Sequence, residues 1–106
     1  IGTGPATDLL ESKRKYTLFN RVATLINKSG LHARPAAEFV KCANSYRCTI
    51  DIRCDGRVAS AKSIIALMAL GADHGKTVEI IADGEDEAAA VKALVSLVEA
   101  GFGEVG

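Results

Sequence analysis

His32 stands in the run Gly30-Leu31-His32-Ala33-Arg34-Pro35-Ala36, where turn residues give way to a helix-like periodicity. The position matters chemically. The first N–H groups of a helix have no partner within it, and the helix dipole adds partial positive charge there. A phosphoryl group on His32 would meet backbone donors, with Ser29, Gly30 and Ala33 as its neighbouring supports. The same field disfavours imidazolium and leaves a neutral nucleophilic nitrogen. Arg34 brings a guanidinium able to hold phosphate oxygens through two donors. Pro35 stiffens the first turn, and Gly30 lets the chain turn closely before the histidine. A histidine in this role is a covalent carrier and not a general base. No carboxylate cluster for a metal and no Gly-rich phosphate loop accompanies it, which argues against a free-standing kinase or phosphatase. Residue types alone leave a second reading open, a plain capping or surface histidine.

A second segment, Ala59 to Gly71, carries Ser63 followed by Ile64-Ile65-Ala66-Leu67-Met68-Ala69-Leu70. So many apolar residues in a short helix cannot all face inward. Leu67 and Leu70 are expected to point at the core, with Ile64, Ile65 and Met68 left partly exposed as a protein-docking patch. Burial on most sides is the competing reading. Ser63 is placed to cap this helix, and a phosphate added there would set two negative charges beside the patch.

The elements that must position these segments follow from pattern. Tyr16 to Ile26 is rich in β-branched, aromatic and aliphatic residues and predicts a strand. Asn27-Lys28-Ser29-Gly30 breaks it. Ala33 to Asn44 predicts a helix, with Ala36, Phe39, Val40 and Ala43 on one face. Arg47 to Cys54 alternates, and Asp55-Gly56 predicts a tight hairpin into a strand over Arg57 to Ser60. A short helix spans Ile64 to Leu70 and ends at Gly71. Thr77 to Ala82 is a further strand. Asp86 is expected to cap a last helix, Glu87 to Ala100, stopped by Gly101. The order β-α-β-β-α-β-α predicts an α+β fold, a four-stranded antiparallel sheet with three helices on one face. Residues 1–15, with Gly, Pro, Thr and Ser and then Lys13-Arg14-Lys15, read as a flexible extension, and residues 16–106 as the domain. Removing the extension is expected to leave thermal unfolding nearly unchanged.

The 106 residues suit one domain, and 48% hydrophobic with 25% charged residues is ordinary for a globular protein. Lys+Arg and Asp+Glu balance at 13 each, so the basic footprint of a nucleic-acid binder is missing at the whole-chain level. No apolar run reaches the length of a membrane span, and none reads as a signal peptide. Cys42, Cys48 and Cys54 form no C-x-x-C pair and have no histidine at zinc-ligand spacing. Cys48 and Cys54 share the apolar phase of their strand with Ile50 and Ile52 and read as buried thiols in a reducing cytoplasm. No metal site is expected. His74 reads as a loop residue.

Together the segments resemble the HPr family of histidine phosphocarriers. Residues 30–36 are similar to its active-site motif, residues 60–64 running into Leu70-Gly71 to its regulatory-serine helix, and residues 82–87 to the turn before its last helix. The resemblance covers about Phe19 to Gly103 and implies the family's open-faced β-sandwich. It also implies work in the cytoplasm of bacteria, in the phosphoenolpyruvate-dependent sugar phosphotransferase system. His32 would take phosphate on Nδ1 from enzyme I and deliver it to an enzyme IIA domain, with Arg34 steadying the phosphate. Ser63 matches the serine modified by an HPr kinase/phosphorylase, and a transcriptional regulator is a further expected partner. Ile64, Ile65 and Met68 match the partner-docking positions. No cofactor is implied, since the phosphate is covalent cargo. Family members are usually monomeric. The extension ahead of the first strand departs from the family pattern. A carrier of the nitrogen-related branch and a Ser63-controlled regulatory adaptor remain alternatives; a ferredoxin-like RNA module is disfavoured by the lack of a basic face.

Overall fold

The computed structural model describes residues 19–104. The expected extension over residues 1–15 lies outside them, as do the last two residues. Four strands and three helices follow in the order β1 (Phe19–Thr24), α1 (Ala33–Ala43), β2 (Thr49–Cys54), β3 (Arg57–Ser60), α2 (Ile64–Ala69), β4 (Thr77–Asp83) and α3 (Glu87–Glu99). A 3-10 turn over Gly101–Gly103 ends the described chain. The sheet order is β1-β4-β2-β3, antiparallel throughout, and the helices cover one face. This is the predicted α+β open-faced sandwich.

The alternation in β2 decides which way the sheet faces. Ile50, Ile52 and Cys54 are buried beneath the helices, while Thr49, Asp51 and Arg53 point out. The outward row runs Val22, Glu79, Arg53 and Val58 across all four strands, and the Arg53 guanidinium donates twice to Glu79. The hairpin forms where the sequence predicted it. Asp55 and Gly56 both take positive φ, 52° and 80°, the backbone of a type I′ turn.

One core joins the layers. Phe39 of α1, Leu67 of α2 and Leu94 of α3 meet Ile52 and Ile80 of the sheet, all fully buried. Burial of each such side chain contributes roughly 1.5–3 kcal/mol before the entropy of ordering is subtracted. Cys48 and Cys54 belong to this core, as expected, while Cys42 is only half-buried; all three thiols are free.

One local expectation needs correction. Asp86 does not cap α3 with its side chain. Its carboxylate turns instead to the start of β2 and accepts the Arg47 and Cys48 N–H groups at 2.8 and 3.0 Å. Those two amides are therefore spent on Asp86, and the ladder of β2 begins at Thr49, two residues later than its alternation suggested. The Gly84 N–H is held by Glu87 Oε1 at 3.0 Å, which ties the turn before α3 by another route. The last helix stops before Gly101, as expected, and a turn with Gly101 and Phe102 buried follows it.

Candidate functional site at the start of helix α1

His32 is the N-cap residue of α1. Its backbone is extended (φ −82°, ψ −169°), its carbonyl accepts the first helical bond from the Ala36 N–H at 2.8 Å, and its side chain makes no cap. Pro35 has no N–H. Only the amides of Ala33 and Arg34 remain in the first turn, and neither has an acceptor among the described residues. The imidazole is 69% exposed in its side chain, so a partner protein can reach it. Two open donors, a dipole end and an accessible ring nitrogen thus meet where the sequence placed them.

The turn before His32 is held tightly. Gly30 has φ of +60°, and a Cβ there would stand 2.5 Å from the Ala72 carbonyl oxygen and 2.7 Å from the Asp73 Cα. The Leu31 N–H donates to that same Ala72 carbonyl at 2.9 Å. Only glycine allows two backbone segments to approach this closely, and the contact brings the loop after α2 against the histidine. Asp73, on that loop, sets a carboxylate oxygen 4.0 Å from His32 Nε2. Nothing in the sequence pairs these residues, which lie far apart in the chain.

Arg34 is not a free guanidinium. It pairs with Glu38 one turn along α1, and its second terminal nitrogen donates to the Phe102 carbonyl and to Glu104, each at 3.1 Å. Glu104 in turn accepts from Ser29 Oγ at 2.9 and 3.1 Å and from Asn27 Nδ2 at 3.3 Å. The Ser29 hydroxyl, first among these donors, holds the Glu104 carboxyl below the usual carboxylate range, with Asn27 and Arg34 adding to it. Ser29, expected to face the phosphate, is thus engaged by the chain end. Asn27 is buried, donates to the Gly30 carbonyl at 2.8 Å, and leaves its own Oδ1 without a partner. Phe102 is buried with φ of +55°, an uncommon conformation for an aromatic residue, and it is this turn that aims its carbonyl at Arg34. His74 is an exposed loop residue, as expected, with Nδ1 3.2 Å from the Asn27 carbonyl.

The second segment folds as its pattern demanded. The Ser63 Oγ accepts the Ala66 N–H at 3.1 Å and caps α2. Leu67 and Leu70 are buried, while Ile64, Ile65 and Met68 are 40%, 82% and 46% exposed. The helix α2 packs on α1, the helix that begins at His32. Among the described residues no group of three metal-ligating side chains stands together, and no helix is long and apolar enough to cross a membrane.

Comparison with known families bears directly on this surface. The family described as the PTS HPr component phosphorylation site matches residues 19–100, the helix start and the α2 segment included. The chain belongs to the HPr family. Among its HPr-family relatives, the phosphocarrier protein HPr of Haemophilus influenzae is 42% identical over 81 residues, covering 76% of this chain and 95% of the relative. The phosphocarrier protein NPr of Proteus mirabilis is 38% identical over 89 residues, covering 83% of this chain and 98% of the relative. Among solved structures, HPr-C-His from Thermoanaerobacter tengcongensis superposes with a TM-score of 0.80 at 43% identity, covering 83% of this chain and 99% of the other. An HPr-family chain of this fold is a phosphocarrier of the phosphotransferase system, a carrier in kind more than a catalyst.

Proposed function

We propose that this chain accepts a phosphoryl group on His32 from phosphorylated enzyme I and passes it to an enzyme IIA domain of the sugar phosphotransferase system, in the cytoplasm. The observation that carries the reading is the exposed imidazole at the N-terminus of α1, beside the two unpartnered amides of Ala33 and Arg34. Those amides and the helix dipole favour an anion on the ring. Arg34 supports it further by exchanging its Glu104 and Phe102 contacts for phosphate oxygens. Docking uses Ile64, Ile65 and Met68, which are exposed and apolar on a helix packed against α1. Regulation acts through Ser63. A phosphate on its Oγ sits at the start of α2 and places negative charge beside Ile64, weakening an apolar contact.

The test is an intact mass after incubation with phosphoenolpyruvate and enzyme I, with His32→Ala alongside. A gain of one phosphoryl group that is acid-labile and absent from the variant is expected. No gain with several enzymes I defeats the carrier reading and favours the Ser63-controlled adaptor. A second reading, the nitrogen-related branch, is supported by the likeness to the NPr of Proteus mirabilis. Rates measured side by side with enzymes I of the two branches separate them: faster phosphorylation by the sugar-branch enzyme supports the first reading, and the reverse supports the second.

A further inference from the structure

We infer that Asp73 is a positioning residue for phosphoryl transfer, acting through His32 by keeping the imidazole proton on Nε2 and leaving Nδ1 as the nitrogen that takes the phosphoryl group. The inference rests on the proposed carrier role. Its geometric basis is the loop that carries Asp73. The Ala72 carbonyl accepts the Leu31 N–H at 2.9 Å, and the Gly75 N–H donates to the Leu25 carbonyl at 2.7 Å. The Lys76 N–H closes the loop on the Asp73 carbonyl at 3.1 Å. Backbone contact at Gly30 leaves no room for slippage. The Asp73 backbone is thereby fixed, its carboxylate stands 4.0 Å from Nε2, and it has no other ion-pair or hydrogen-bond partner among the described residues. Lys76, the nearest basic residue in sequence, is paired with Asp55.

The charged groups around the ring make this carboxylate decisive. On α1, Arg34 is neutralised by Glu38, and from the chain end by Glu104. On the loop, His74 turns Nδ1 to the Asn27 carbonyl. Asp73 is the one carboxylate within ion-pair distance of the His32 ring among the described residues. At 4.0 Å the pair is longer than a direct hydrogen bond, so the influence is Coulombic.

The chemistry balances without moving a proton. With hydrogen on Nε2, the in-plane electron pair on Nδ1 attacks phosphorus. The phosphorus–nitrogen bond to the donor's phosphohistidine breaks, and its electron pair returns to the donor nitrogen. The phosphorylated ring keeps its Nε2 proton and a positive charge, which Asp73 stabilises. In the onward step the acceptor's nitrogen bonds to phosphorus, the Nδ1–phosphorus bond breaks with its electron pair left on Nδ1, and a neutral imidazole departs. Without the Nε2 proton the leaving group would be imidazolate, a far poorer one. The carboxylate therefore favours the ring form that carries its proton on Nε2.

The test follows phosphohistidine discharge to an enzyme IIA domain, and its hydrolysis, in the full chain, Asp73→Asn and Asp73→Glu. Asp73→Asn is expected to slow discharge roughly threefold. Asp73→Glu is expected to recover part of the rate. Nitrogen-15 chemical shifts of the unphosphorylated His32 ring supply a readout independent of transfer: the Nε2–H tautomer dominates in the parent chain and gives way to a mixture in Asp73→Asn. Coincident discharge rates and ring shifts in all three proteins overturn the inference. Failure of the parent chain to take phosphate overturns the carrier reading instead, while the ring shifts still judge Asp73.

Discussion

At His32 a common side chain acquires a special setting from its backbone. An extended N-cap residue keeps its ring out of the helix, and Pro35 removes one of the amides that would otherwise need a partner. Gly30 makes this possible, and Gly30→Ala is expected to cost about 2–4 kcal/mol, because the added methyl meets backbone that cannot yield. Denaturant unfolding measures it. Arg34 is shared between Glu38, Glu104 and the Phe102 carbonyl. Arg34→Ala is expected to slow discharge of phosphohistidine about tenfold or more while His32 still becomes phosphorylated; equal discharge rates would remove Arg34 from the transfer step. Glu104 brings a pH dependence with a definite sign. Its carboxyl is lowered in the folded protein, chiefly by Ser29. The stability it contributes is therefore present above the ordinary glutamate range and is lost as pH falls through the lowered folded value. Glu104→Gln is expected to melt at a lower temperature than the parent at pH 7 and to converge with it in acid, as read by thermal unfolding across pH.

At the scale of elements, α2 shows how a short amphipathic segment divides its work. Leu67 and Leu70 anchor it, Ser63 caps it, and the remaining large side chains face solvent. Ile65→Asp is expected to change folding stability by less than about 0.5 kcal/mol, since the side chain is 82% exposed, yet to weaken docking to enzyme I by about 1–3 kcal/mol. Ser63→Asp is expected to weaken the same association without unfolding the domain. Calorimetric titration with enzyme I beside a melting curve checks both, and unchanged affinity in both variants would place the docking surface elsewhere. The turn before α3 teaches the opposite lesson. Asp86 carries a residue type suited to capping, but the backbone of β2 takes its carboxylate, and the Arg47 N–H is the chief reason its carboxyl is lowered.

Across the whole molecule a single core ties the helices to one face of the sheet, and the thiols report on its tightness. Burial raises all three cysteines, and Cys48 is pushed up to about 11, with Asp86 adding to the effect of burial. Thiolate is the reactive form, so at pH 8 a thiol reagent is expected to reach half-buried Cys42 first and Cys48 only on unfolding. Mass mapping of the labelled sites decides the order. Leu94→Ala, in the centre of α3, is expected to cost about 2–5 kcal/mol in denaturant unfolding.

Periodicity and turn chemistry act over a few residues, and where they governed the outcome the amino-acid sequence was sufficient. The alternation of β2, the Asp55-Gly56 hairpin, the apolar stripe of α1 and the partition of α2 were all readable, as was the placing of His32 where a turn becomes a helix. Element ends were less legible, because they depend on which distant group satisfies a backbone amide, as Asp86 does for Arg47 and Cys48. The long-range charged partners of the site were not legible. Asp73 reaches His32 through a backbone contact that only Gly30 permits, and Glu104 reaches Arg34 through a buried turn at Phe102. Residue order determined what the site is made of. Tertiary structure alone decided which charges stand around it, because electrostatic contact depends on distance in space and not on separation along the chain.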